Sequence, residues 1–475
     1  MKKLSKHFLQ YILSASVITA TTVAAQDIDV EKHVKKYWTK YHNQQIVVGN
    51  GDKRWPVTPE LKAERLRHFT AMMERFAPHH VEEAKLIDRI FNWQEGTYLA
   101  TLRFGIDKTI PASEEKNLSH ECTSWIVMDN LTGGKSIIMH KNRDSKGGPL
   151  VLLRRAMPGK HAWIGNGSQF SFYPSQGIND RGLVVMMNSG DPLPEAENSQ
   201  YGLPTMVLCR MMLEDCGTAE EAVELLKKAV YANAYTHVES GSIWFIGDSN
   251  NVYIAEHSAR KITVKAVNSG FSARANAFQY PEMQIYSLRN QGSLAAHARR
   301  EFAVRDLLIN TQWRKNGIVT PLDSAAASRI NSIPKDPKCY PPCGKNTIST
   351  TTFVIDKEYP EYLSSAYMTF SSPQYSCYLP VPLTVRNIPE AILNGSYSEY
   401  CSKRWKENKP LLPAEELAAL EKRLYQRHAE AVEKARVILR TETSTSPSAQ
   451  EKAAAVLNSA FEENFNEMKN VLKFQ

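Results

Sequence analysis

The sequence is poor in the features that most directly give a function away. Its 13 His show no His-Glu-x-x-His spacing, the pattern that puts two zinc ligands on one helix face. His79-His80 reads as a surface pair rather than a ligand set. Cys is scarce, at 7 in 475 residues, and Cys339-x-x-x-Cys343 stands without a second pair or a His. That is a weak zinc signal, so no metal or other cofactor is expected. No run of Lys and Arg forms a stripe, and a formal charge of +8 is modest for this length. It reads as a solubility feature, with no nucleic-acid partner. After the first 25 residues no stretch is long and apolar enough to span a bilayer.

What remains is a globular composition, with 42% hydrophobic and 23% charged residues. The length suits one large domain or two ordinary ones. Residues 1–25 read as a signal peptide. Lys2, Lys3 and Lys6 form a basic start, Phe8 to Ala20 is mostly apolar, and Val23-Ala24-Ala25 offers small residues at a cleavage site. The apolar run is short for a membrane anchor, so an exported protein, periplasmic or secreted, without stable membrane insertion is expected. Removing this segment lowers the formal charge from +8 to +5. Residues 26–121 read as a helical segment, with helices over Glu31 to Tyr41, Thr58 to Arg75 and Val81 to Phe91. A polar connector with Pro111 follows.

The stretch from Cys122 to Ser145 reads as a β-hairpin. Trp125 to Met128 is an apolar run, Asp129 to Gly134 has turn chemistry, and Ile137 to Met139 returns. Its open ends carry Cys122 and Thr123 on one strand and Asn142, Arg143 and Asp144 on the other. The fold of a hairpin brings Cys122 and Asp144 together. A thiol beside a carboxylate and a basic group suits nucleophilic catalysis. The plainer alternative is a buried Cys and a solvated turn.

Cys-Thr-Ser, an apolar strand, a Gly turn, a second strand and Asn-x-Asp resemble the N-terminal-nucleophile cysteine hydrolases. More narrowly, the pattern is similar to the isopenicillin-N N-acyltransferase family. Relatives are the choloylglycine hydrolases, the penicillin V acylases and the dipeptidases of the same clan. The resemblance runs from about Cys122 to Val381. It implies an α+β fold, a four-layer α-β-β-α sandwich with antiparallel sheets. Around it lie the helical segment 26–121, as prosegment or small subunit, and a helical tail. The divisions expected are 1–25, 26–121, 122–411 for the catalytic domain and 412–475 for the tail, where Leu417, Leu420 and Leu424 recur at helical spacing.

The resemblance also nominates residues further on. Gly177-Ile178-Asn179-Asp180-Arg181-Gly182-Leu183 is similar to a turn that precedes an active-site strand in this clan, and Asn188 ends that strand. Asn276 follows a later strand, with Ala275 where relatives often have Thr; its amide N–H groups would meet a developing oxyanion. Arg300 aligns with an Arg that relatives direct into the site, although its helix pattern also fits a surface residue. Lys141 stands where choloylglycine-type relatives have Arg, which argues against their mode of carboxylate recognition. Residue 121 is Glu where many relatives have a small residue.

An odd Cys count in an exported chain leaves one thiol over. Cys209 and Cys216 lie on a predicted helix at a spacing too long to bridge. Cys339, Cys343, Cys377 and Cys401 are expected to form two disulfides, with three connectivities open. By resemblance, the chain cuts itself between Glu121 and Cys122. The freed α-amine, with a reference pKa of about 7.7–8.0 against about 8.5 for a thiol, then acts as the base, and no His is required. Asp144 orients the amine. The function expected is an amidohydrolase or acyltransferase working through a thioester on a small amide or short peptide. Rival readings are a clan dipeptidase and a non-catalytic exported binding protein of the same fold. Substrate and self-association are left open.

Overall fold

The computed structural model describes residues 27–39, 46, 48–49, 58–105, 122–145, 148–235, 240–330, 341–344 and 346–474. The expected leader, the connector around Pro111, Glu121 and Cys339 lie outside the described residues.

Thirteen strands are described: β1 Cys122–Val127, β2 Ser136–Asp144, β3 Leu150–Arg155, β4 Trp163–Ser168, β5 Pro174–Asn179, β6 Val184–Pro192, β7 Ser240–Gly247, β8 Val252–His257, β9 Ile262–Ala266, β10 Phe271–Arg274, β11 Thr347–Asp356, β12 Ser365–Met368 and β13 Leu379–Pro382. They form a six-stranded sheet in the order β10-β1-β2-β11-β12-β13 and a seven-stranded sheet from β3 to β9 in chain order. Every neighbouring pair is antiparallel.

Side-chain alternation along these strands builds the layers. Ile126, Ile137 and Met139 leave the first sheet on one face and meet Ile164, Ile178, Val184 and Phe245 of the second, forming the central core. Burying such a side chain stabilises by ~1.5–3 kcal/mol. On the opposite face of the first sheet, Trp125, Val127 and Ile138 meet Val304 and Leu308. On the outer face of the second, Val151, Leu153, Trp163 and Trp244 meet Leu208, Met212 and Leu226. The order is helix, sheet, sheet, helix, as the fold class expected from the sequence requires.

The main helices are α1 Val30–Tyr37, α2 Pro59–Phe76, α3 Pro78–Phe91, α4 Thr97–Phe104, α5 Thr205–Asp215, α6 Ala219–Tyr231, α7 Gln291–Arg305, α8 Pro321–Ser328, α9 Ser396–Lys406, α10 Ala414–Thr441 and α11 Pro447–Leu472. Thr58 caps α2 through Leu61 N at 3.3 Å, and Thr218 with Glu221 forms a capping box on α6. Helix α7 runs on into a π-helical turn, Asp306–Trp313. Leu417, Leu420, Leu424, Phe461 and Phe465 of α10 and α11 enter the central core, so the tail shares one core with the sandwich.

Strands β3 to β5 were not evident in the sequence, where Gln176 to Leu183 read as a turn. The Gly, Ser, Asn and Pro of β4 and β5 are weak β-formers. The structure explains the glycine at position 177: a Cβ there would lie 2.7 Å from Leu213 Cδ1 and 2.8 Å from Ile164 O, so glycine lets α5 close down on β5.

Helices α1 to α4 pack through Val34, Trp38, Phe69, Val81 and Ile87 into the core on the outer face of the second sheet. A buried ionic network joins them to it. Glu83 accepts from Arg155 Nη1 and Arg210 Nη1, each at 2.6 Å. Glu214 Oε1 accepts from Arg210 Nε at 2.7 Å, while Oε2 pairs with His79 Nε2 and His80 Nε2 at 2.8 Å each. His80 is therefore buried and paired, not the surface residue that its sequence context indicated.

The disulfide expectation is corrected for three of its four residues. Cys343, Cys377 and Cys401 are free, buried thiols. Their sulfurs are engaged otherwise: Cys343 Sγ approaches Ser372 Oγ at 3.9 Å and Cys377 Sγ donates to Tyr378 O at 3.7 Å. Burial pushes the Cys343 and Cys401 thiols up to about 12. Counting Cys in a sequence cannot register such burial.

Buried imidazoles make stability pH-dependent. Burial is the main cause that pushes His33, His80, His257 and His428 down to about 4, and His140 and His297 down to about 3. Below the unfolded value of about 6.5, the unfolded chain takes up protons that the folded chain refuses. Stability should therefore fall as pH drops from about 6.5 towards 4. Calorimetric melting across that range at constant ionic strength checks this, and a constant or rising Tm on acidification would contradict it.

Candidate active site

The hairpin closes as its sequence demands. Gly133 and Gly134 take φ of 72° and 77° in the turn, values that glycine adopts without a Cβ clash. The register places Cys122 opposite Arg143, Thr123 opposite Asn142 and Ser124 opposite Lys141. The neighbour directly across from Cys122 is thus Arg143, not Asp144. Asp144 lies one step on, so alternation sends its side chain to the other face. There its Oδ1 accepts from Thr347 Oγ1 at 2.5 Å.

Cys122 is buried, and both of its backbone polar groups are held. Its N–H donates to Asn276 Oδ1 at 2.8 Å. Its carbonyl accepts from Arg300 Nη1 at 3.2 Å, and the same Nη1 contacts Thr123 Oγ1 at 3.2 Å. Arg300 is buried on α7 behind β1, so the surface reading of its helix pattern is corrected. Asn276 also departs from expectation. Its oxygen, not its amide N–H, faces Cys122, and its Nδ2 donates to Ser189 O at 2.8 Å.

The segment after β10 holds Asn276 in place because carboxylates collect its backbone N–H groups. Glu301 takes Ala275 N at 2.7 Å, Asp191 takes Phe278 N at 3.0 Å, and Glu256 takes Tyr280 N at 2.9 Å. Arg289 Nη2 donates to Asn276 O at 2.9 Å. Phe278 docks against Gly190 and Gly241, where an added Cβ would lie 2.8 Å and 2.3 Å from its ring. Asn188 completes the arrangement. Its Nδ2 donates to Arg274 O at 3.1 Å and Ala275 O at 3.0 Å, and its Oδ1 accepts from Ser124 Oγ at 2.8 Å. Asn188 therefore ties β6 to β1 and to this segment. The sequence nominated Asn188 and Asn276 but not Ser124, Ser189, Asp191, Glu256 or Glu301, whose parts depend on chain crossings that no local pattern encodes.

The thiol lies among cations. Lys141 is buried on the same face of the sheet as Cys122, and its Nζ donates to Met187 O. Burial pushes its ammonium down, while the nearby Cys122 and Asp144 oppose that shift. Burial likewise lowers Arg143, again opposed by Cys122. His140, the imidazole within the hairpin, occupies the other face, stacked on Trp125 with centroids 3.8 Å apart and hydrogen-bonded to Asn142 Oδ1 at 2.8 Å. A nucleophilic Cys122 would need a base other than this ring.

His79, His80 and Glu214 present three atoms within 4.8 Å that could hold a metal ion. This cluster lies on the far side of the second sheet and belongs to the docking network of α3. Glu214 is already taken by Arg210 and by Trp163 Nε1, the latter at 3.2 Å.

Residues 132–307 match the model of the acyl-coenzyme A:6-aminopenicillanic acid acyl-transferase family. The family resemblance read from the hairpin holds over this stretch. The match opens in the hairpin turn and takes in Lys141, Asp144, Asn188, Asn276 and Arg300; Cys122 lies just before it. Solved structures similar in part include penicillin V acylase from Agrobacterium tumefaciens, with TM-score 0.33 and 16% identity over 57% of this chain and 88% of that one. A mutant of the conjugated bile acid hydrolase from Clostridium perfringens gives 0.35 and 13% over 55% and 92%. The Caenorhabditis elegans ortholog of N-acylethanolamine-hydrolyzing acid amidase gives 0.31 and 13% over 49% and 92%. No curated protein matches in sequence. The α-β-β-α sandwich itself rests on the strand order and layers described above.

Asn188→Ala should strand the Ser124 hydroxyl and two buried carbonyls. Each unsatisfied group costs about 1–3 kcal/mol. A loss of stability of at least that size is expected in denaturant unfolding. An unchanged midpoint and slope would show that Asn188 does not hold the β6–β1 junction.

Proposed function

We propose that the protein is a self-processing cysteine amidohydrolase or acyltransferase of the N-terminal-nucleophile type, exported from the cell, with Cys122 as nucleophile. The observation that carries this reading is the hydrogen bond from Cys122 N to Asn276 Oδ1 at 2.8 Å, at the head of β1. In the uncut chain that nitrogen is an amide and not a base. Once the Glu121–Cys122 peptide is cut, the same nitrogen is an α-amine, already oriented by Asn276. Its reference pKa of about 7.7–8.0 lets it take the thiol proton near neutral pH.

Thiolate attack on the carbonyl of a linear amide or short peptide makes a tetrahedral oxyanion. The protonated amine then gives its proton to the leaving nitrogen, and a thioester on Cys122 remains. Water resolves the thioester in a hydrolase; a bound amine resolves it in an acyltransferase. Asn276 is assigned to the amine rather than to the oxyanion, because its oxygen faces Cys122 N. Asp144 adds negative charge on the neighbouring strand, which favours the protonated amine. Arg300 fixes the Cys122 carbonyl and so acts as a positioning residue. The helical segment stays associated after cleavage through Glu83, Arg155 and Arg210. That segment before Cys122 also favours this reading over a clan dipeptidase.

The test compares turnover per folded molecule on a panel of linear amides. Cys122→Ala should abolish it, because no attacking atom remains. Cys209→Ala, at a buried thiol of α5, should retain it. Near-wild-type turnover in both variants would make Cys122 a structural residue.

A further inference from the structure

We infer that Arg143 forms a subsite for a carboxylate that the substrate carries beside its scissile amide. The inference rests on the reading of Cys122 as nucleophile and adds the class of substrate. Arg143 stands directly across from Cys122 in the antiparallel ladder, so their Cα atoms are about 4.5–5.5 Å apart and their side chains share a face. A group reacting at Cys122 Sγ therefore lies within reach of the guanidinium.

The other cations around Cys122 already have partners. Lys141 Nζ donates to Met187 O, and Arg300 Nη1 contacts Cys122 O and Thr123 Oγ1. Arg143 differs. Its Nη1 is buried with no hydrogen-bond partner among the described residues, while the side chain as a whole stays partly exposed. A buried charged donor without an acceptor is costly, and folded proteins seldom keep one without a use for it. The ligand that matches it is a planar anion. A guanidinium offers parallel N–H groups in a fork that fits a carboxylate. Lys141, two residues earlier and buried between the sheets, raises the positive potential on the same face.

The competing explanation is that Arg143 serves only the thiolate of Cys122. That role would affect charged and neutral substrates alike, which separates the two.

Two matched substrate pairs test the inference: an N-acylglycine against its N-acylglycinamide, and a glutaryl anilide against the corresponding primary-amide compound. They place the carboxylate on the leaving side and on the acyl side respectively. The wild-type protein should favour the charged member of one pair by about 10- to 100-fold in kcat/KM, as expected for a hydrogen bond to a charged group. Arg143→Met should bring that ratio close to one. Arg143→Lys keeps the charge without the fork and should lose part of the ratio; it also covers the case in which Arg143→Met fails to fold. A second readout does not require turnover: protection of Cys122 from iodoacetamide, followed by peptide mapping. The charged member of the favoured pair should protect better than its neutral counterpart, and Arg143→Met or Arg143→Lys should reduce that difference. Equal protection by both ligands, or an equal loss for both members of each pair, would overturn the subsite. Selective protection without turnover of any amide would leave the subsite standing and sink the catalytic reading instead.

Discussion

The site depends on one hydrogen bond, from Cys122 N to Asn276 Oδ1. It joins the first residue of β1 to a segment that arrives from a distant part of the chain. That segment could not hold its place alone, because its backbone N–H groups are buried and need acceptors. Glu256, Glu301 and Asp191 supply them, and Asn188 takes two of its carbonyls. The two sheets meet at this point, since Asn188 belongs to the second sheet and Ser124, which it also binds, to the first. The sandwich therefore positions a single backbone nitrogen. Peptide cleavage would convert that nitrogen from an inert amide into a base, with little rearrangement required.

Much of this was legible in the sequence. The hairpin showed itself through apolar β-formers on both sides of a Gly-Gly turn. The helices of the N-terminal segment and of the tail showed themselves through composition and apolar period. Strands β4 and β5 did not, because Gly165, Gly167 and Gly177 are there to admit close neighbours and not to favour a strand. The position of Asn276 was legible but its polarity was not, since an amide can present either end and Ser189 O decides which. Arg300 and His80 sit in helices whose local pattern suits a surface; only tertiary packing buries them. The three described late Cys looked like disulfide partners by number and became core residues by packing.

The N-terminal helices are bound by more than apolar contact. A carboxylate such as Glu83 between two buried arginines is costly to desolvate and costly to break, and it binds only a partner that brings the matching charges. Helices α1 to α4 are thus fitted to the β3–β4 edge and α5 in one geometry. A segment held in this way can be severed from the rest of the chain and still stay in place. This suits the proposed cleavage before Cys122, which would free the amine after the chain has folded.

The claim that matters most is that Cys122 acts as the first residue of its own chain. Purified active protein, treated with an amide-derived electrophile and analysed by denaturing mass spectrometry, tests it directly. Two chains are expected, with the adduct on the one whose N-terminal residue is Cys122. A single intact chain retaining full amidase activity, or an adduct on any other Cys, would contradict the account.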